Sequence, residues 1–125
     1  WGVGHPDHIA AGEATLAAIF PTARDHLTFP DLLEEGLDTH KVSEVWIMGH
    51  PDPDHWVDVT EHMDTSIKAL MEHTSQISDR PATEMGEMMR SGRRSRALGK
   101  GMEYAESFRR IMYDRWRPTP SATKP

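Results

Sequence analysis

The chain has 125 residues, enough for one domain, and a formal charge of −6. That acidic balance excludes a general nucleic-acid binder, which would carry a net basic face. There is no cysteine, which excludes a disulfide framework and a thiolate metal site, so any metal must be held by histidine and carboxylate.

Residues 6–20 are predicted as the first helix. Pro6 suits its first position, where a missing N–H costs nothing, and Ile9, Leu16, Ala17, Ile19 and Phe20 recur at helical spacing. Gly12 inside it points to close packing against a neighbouring element. Pro21 ends the helix. Residues 21–41 read as a loop with one short helix near 30–36. Val45-Trp46-Ile47-Met48 is a continuous apolar run bounded by charge and Gly49, the pattern of a buried, parallel strand. Two prolines make 49–54 a loop. Trp56 to Val59 alternates as a second short strand, after which Thr60 is placed to cap a helix over 61–77. Residues 83–92 are predicted helical, with Met85, Met88 and Met89 as the apolar stripe, which reads as core or interface filler. A basic, glycine-punctuated patch follows: Arg90, Arg93, Arg94, Arg96 and Lys100. It reads as a solvated turn, with contact to an anion or an acidic partner as the alternative. Residues 102–113 are predicted as a last amphipathic helix. The tail 117–125 has nothing to bury and is expected to be mobile. No run is long and apolar enough to span a membrane, and no signal-peptide pattern precedes the first helix.

The chemistry is concentrated at the start of the first helix, in Gly4-His5-Pro6-Asp7-His8-Ile9-Ala10-Ala11-Gly12. His5 and His8 are three residues apart, so they can point the same way from the first turn. The open backbone N–H groups there favour oxyanions. Histidine and aspartate at a helix start also serve as caps and solvated residues. A catalytic zinc site takes three protein ligands and an open position, and this stretch supplies at most two. His50-Pro51-Asp52-Pro53-Asp54-His55 offers a second set of imidazoles and carboxylates, read here as a surface loop.

His-Pro-Asp-His followed by Ile-Ala-Ala-Gly resembles a signature of the PIG-L or LmbE-like family, zinc-dependent de-N-acetylases of N-acetylglucosamine-type substrates. Further segments resemble the same family in order. They are Lys41-Val42-Ser43-Glu44-Val45-Trp46-Ile47-Met48-Gly49, Pro53-Asp54-His55-Trp56-Val57-Asp58-Val59-Thr60, Lys68-Ala69-Leu70-Met71-Glu72-His73-Thr74-Ser75-Gln76 and Tyr104-Ala105-Glu106-Ser107-Phe108-Arg109. The family's His-Pro-Asp-Asp segment, which carries two zinc ligands and the general base, does not occur upstream of His5, and the chain starts at Trp1 rather than Met. The chain is therefore expected to be the C-terminal half of the domain, with 1–116 in the fold and 117–125 as its tail.

The resemblance implies an α/β, Rossmann-like half-domain, mostly helical with two short strands. It implies His8 as a zinc ligand, His5 as the group that stabilises the oxyanion and protonates the leaving amine, and Asp7 as the carboxylate that orients His5. It implies a structural hydrogen-bonding role for His73 and a helix-anchoring salt bridge for Glu106. The implied cofactor is Zn2+ and the implied substrate an amino-sugar small molecule, with removal of an N-acetyl group as the reaction. A non-catalytic remnant or association module of the same fold is the alternative. A cytoplasmic protein is expected. So is association, either as a homo-oligomer or with the missing N-terminal half, because removing that half bares a strand edge and the apolar side of the first helix.

Overall fold

The computed structural model describes residues 4–77 and 80–113, so the tail expected at 117–125 lies outside the described residues. The chain divides into two compact units, one of residues 1–44 and 112–125 and the other of residues 45–111.

In the first unit, α1 (Pro6–Ala17) starts where Pro6 allows it and runs into a wider helical turn over Ala18–Thr22. The helix fails at Phe20, whose backbone is extended at φ −151° and ψ 125°. A proline disfavours helical backbone in the residue before it, so the stop comes from Pro21 as expected, a little earlier than residue 20. A short α2 (Pro30–Glu34) follows, again with proline in its first turn. No described residue of this unit is buried: Ile9 is 54% exposed and Phe20 57%. Gly12 does not mark a close approach, since a Cβ there would meet nothing within 4 Å.

The second unit holds every buried residue among those described: Met63, Ile77, Met85, Gly86, Ala97, Tyr104 and Ala105. Its elements are β1 (Glu44–Met48, entering from the first unit), β2 (His55–Asp58), a 3-10 turn (Thr60–His62), α3 (Met63–Met71), α4 (Thr74–Ile77), α5 (Ala82–Ala97) and β3 (Ala105–Met112). The sheet order is β1-β3-β2. β2 and β3 are antiparallel, with His55 opposite Phe108, Val57 opposite Glu106 and Asp58 opposite Ala105. The α/β class expected from the sequence is present, but as helices with a small antiparallel pairing rather than a parallel sheet.

Three expectations are corrected. The predicted helix over 102–113 is the strand β3. Its helical spacing is overridden by pairing with β2, because strand formation follows cross-strand and packing context more than intrinsic preference. The sheet accordingly has three strands, not two. α5 does not stop at Gly92; it continues to Ala97 and gives way at Leu98, ahead of Gly99 and Gly101, which hold φ of 72° and 73° in the region open to glycine. The helix expected over 61–77 is broken into α3 and α4, and Thr60 does not cap it. Thr60 Oγ1 instead accepts a hydrogen bond from the Tyr104 N–H at 3.2 Å, while Asp58 Oδ1 accepts from the Thr60 N–H at 2.9 Å. The hydroxyl and N–H of Thr60 hold the Asp58 carboxyl below the ordinary carboxylate value.

α3 packs on α5 at Gly86, where an added Cβ would stand 3.4 Å from Ile67 Cδ1. The methionine stripe of α5 divides: Met85 is buried and Met88 is 55% exposed. The side chain that fills the centre is Met63, 1% exposed, at the head of α3.

Candidate active site

The head of α1 brings together the three residues the sequence singles out. His5 occupies the N-cap position in an extended conformation, φ −60° and ψ 137°. Its Nδ1 accepts a hydrogen bond from the Asp7 backbone N–H at 3.2 Å. An imidazole nitrogen that accepts is unprotonated, so the ring proton of His5 sits on Nε2. The helix cap thereby selects a tautomer and leaves an N–H on the outer edge of the ring. The Asp7 carboxylate stands 3.8 Å from the same Nδ1, beyond hydrogen-bonding reach. It contributes negative charge to the first turn, where the helix dipole favours it.

His8 follows on the same turn, its backbone N–H bonded to the His5 carbonyl at 3.0 Å. The two rings lie with centroids 5.7 Å apart and planes 48° apart. Both histidines and Asp7 are exposed. The arrangement presents two imidazoles to one side of a helix N-terminus, with one ring oriented by the backbone. It can donate a hydrogen bond and offer a nitrogen lone pair to an incoming group.

A catalytic zinc centre takes three protein ligands. Among the described residues no group of three or more histidine, aspartate or glutamate side chains is placed to hold a metal ion. The head of α1 therefore supplies two imidazole donors and does not by itself complete a zinc site.

The loop between β1 and β2 is accounted for differently. His50 Nδ1 accepts from the Asp52 backbone N–H at 3.1 Å. Arg109 Nη1 lies 3.3 Å from Asp52 Oδ2 and 3.5 Å from Asp54 Oδ2. Asp54 Oδ1 also accepts from the Arg110 backbone N–H at 2.8 Å. That hydrogen bond, followed by the charge of Arg109, holds the Asp54 carboxyl below the ordinary carboxylate value. His55 packs against Trp46, ring centroids 4.4 Å apart. The loop reads as a structural clasp of β2 on β3, in keeping with the surface loop expected there.

The arginines of the basic patch lie on α5 rather than in a turn, and three of them, Arg90, Arg93 and Arg94, are paired within the second unit. Arg90 pairs with Asp64, and that carboxylate raises the Arg90 pKa. Arg94 Nη2 donates to the Tyr104 hydroxyl at 2.9 Å, with its guanidinium 5.2 Å from the Tyr104 ring. Glu106 forms the anchoring salt bridge expected of it, 2.6 Å from Arg93 on α5. Spacing does not show these pairings: Tyr104 and Glu106 fall in the segment 102–113 that the sequence reads as a helix, and Asp64 lies on α3. His73 has an exposed ring; its backbone supplies the hydrogen bonds, donating to the Leu70 carbonyl and accepting from the Gln76 and Ile77 N–H groups.

Over 110 residues the chain is 31% identical to the diacetylchitobiose deacetylase of Thermococcus kodakarensis, a match that takes in 85% of this chain and 39% of that protein. The chain is similar to part of a deacetylase. It spans about two fifths of the length of the relative it matches. No family model matches it. None of the described helices is long and apolar enough to cross a membrane.

Proposed function

We propose that the chain is part of a zinc-dependent amide hydrolase of the PIG-L or LmbE-like family, removing an N-acetyl group from an N-acetylglucosamine-type conjugate. The observation that supports this reading is the 110-residue similarity to a protein named for deacetylating diacetylchitobiose. The head of α1 agrees with it. In this reading His8 offers one imidazole to a zinc ion whose other ligands come from outside the described residues. The Nε2–H of His5 faces the oxyanion that forms as the amide is attacked; protonated on both nitrogens, the ring passes the Nε2 proton to the departing amine and returns to its neutral form with the proton on Nδ1. Asp7 orients His5 through its backbone N–H and favours a positive charge there through its carboxylate.

The test is free-amine release from diacetylchitobiose by the 125-residue chain, alone and joined to a family segment bearing the His-Pro-Asp-Asp motif. The chain alone should be inert, and the joined protein should turn over with zinc. Turnover by the chain alone would overturn the site assignment. A joined protein that folds and binds zinc but stays inert would favour a non-catalytic association module.

Association is part of the same proposal. It is supported by the position of β1 at one edge of the sheet, where Trp46 is 41% and Met48 75% exposed. Unpaired strand edges with apolar side chains recruit other chains. Light scattering coupled to size exclusion should show self-association, and a compact monomer would refute it.

A further inference from the structure

The first unit holds an apolar groove, and none of its described residues is buried. The groove is a cavity of about 320 Å³ lying wholly within residues 18–40. Its apolar wall includes Phe29, Leu32 and Leu37, which are 50%, 42% and 57% exposed. Apolar side chains gathered half-exposed around one hollow mark a place that another apolar group covers. The polar wall includes Asp25 and Asp38. Asp25 Oδ1 accepts from the Leu27 N–H at 2.8 Å, and Asp38 Oδ1 from the Thr39 N–H at 2.7 Å. Asp38 also stands 3.4 Å from His26 Nε2. Neither carboxylate meets an arginine or lysine among the described residues. Over residues 18–40 five carboxylates are set against one arginine, Arg24, whose guanidinium lies over the Phe20 ring. A group that fits this groove is therefore apolar, with positive charge beside it.

The chain itself carries that chemistry. After Tyr113 the sequence runs Asp114-Arg115-Trp116-Arg117, outside the described residues, and 112–125 belongs to the same unit as the groove. The Tyr113 N–H donates to the Ser43 carbonyl at 2.8 Å. His40 lines the cavity and is three residues from Ser43, no more than about 10 Å along the chain. Trp116 is three residues from Tyr113, again about 10 Å of reach, to which its side chain adds. The other apolar terminus, Trp1-Gly2-Val3, has no basic side chain. It also precedes α1, whose 12 residues put about 18 Å between the helix head and Ala18 on the cavity wall.

We infer that Trp116 docks in this cavity, its indole against Phe29, Leu32 and Leu37, with the guanidiniums of Arg115 and Arg117 reaching the exposed carboxylates of Asp25 and Asp38. Tryptophan suits the place because it covers a large apolar area while fixing only two side-chain torsions. Guanidinium suits its neighbours because its planar fork of donors matches a carboxylate. The docked segment gives the first unit a buried centre that residues 18–40 do not form alone. The inference stands apart from the reaction assigned to the head of α1, since it uses none of those residues.

The test is NMR of the full chain in an equal mixture of isotope-labelled and unlabelled protein. The Trp116 indole protons should show contacts to the Leu32 and Leu37 methyls within one labelled chain. Contacts only between labelled and unlabelled chains would make a second copy the occupant, and that result, like the lack of any contact, overturns the inference. Two variants check the chemistry through the rate of trypsin cleavage after Arg115, which tracks the undocked fraction when docking is fast. Asp25→Asn combined with Asp38→Asn keeps the Oδ1 acceptors for the Leu27 and Thr39 N–H groups and removes both charges. Cleavage should quicken about fivefold, the scale of losing two exposed ion pairs. Leu37→Ser changes an exposed side chain, so the fold is retained, and it should quicken cleavage by shortening the apolar wall. Cleavage unchanged in either variant overturns the inference.

Discussion

In the joined, active protein, His5→Ala should lower free-amine release about 10²–10³-fold, the scale for losing one group that stabilises a developing oxyanion. The argument rests on which nitrogen is available. Nδ1 of His5 is held by the Asp7 N–H, so Nε2 keeps its proton and faces outward. Alanine removes that donor, but it also removes the N-cap, which costs about 1 kcal/mol of helix stability on its own. His5→Asn separates the two effects. Asparagine is a strong N-cap residue and restores the acceptor for the Asp7 N–H, but it offers no imidazole to move a proton. It should therefore recover the melting temperature of the parent without recovering its rate. If His5→Asn turned over as fast as the parent, His5 would be a cap and nothing more, and the mechanistic role assigned to it would fall.

The largest stability effect should come from Met63→Ala, about 2–5 kcal/mol, the range for truncating a fully buried large side chain. Single domains are stable by only about 5–15 kcal/mol, so a loss at the upper end would leave little of the folded state. Met63 is 1% exposed at the head of α3, whereas Met88 on α5 is 55% exposed. Met88→Ala should fall within about 0.5 kcal/mol of the parent, as surface changes usually do. Urea unfolding followed by tryptophan fluorescence reads both. Equal losses in the two variants would mean that burial of Met63 is not what stabilises the second unit.

The sequence made some of this legible and hid the rest for identifiable reasons. β1 could be read because Val45 to Met48 is apolar without interruption and Gly49, at φ 68°, closes it. α1 could be read because proline marks both its beginning and its end. β3 could not: Ala105-Glu106-Ser107-Phe108-Arg109-Arg110-Ile111-Met112 has residues that favour helix and apolar positions at helical spacing, and only its pairing with β2 decides otherwise. At the candidate site, the proximity of His5, Asp7 and His8 follows from spacing alone. What spacing could not show is that Asp7 reaches His5 through its main chain, with the carboxylate 3.8 Å away.

The strand order has a consequence for how the protein is made. β1 and β2 emerge from the ribosome one after the other, yet they are not hydrogen-bonded neighbours; the strand between them is β3, the last of the three described strands to be synthesised. Until Ala105–Met112 has left the exit tunnel, neither early strand has its native partner, and both wait with unsatisfied backbone groups while the helices α3 and α5 form behind them. Pairings so distant in sequence form late because the intervening loop must close first. A chain released early, short of β3, would hold two orphaned strands with no means of joining them, and would be a substrate for chaperones and proteases rather than a smaller version of the same fold.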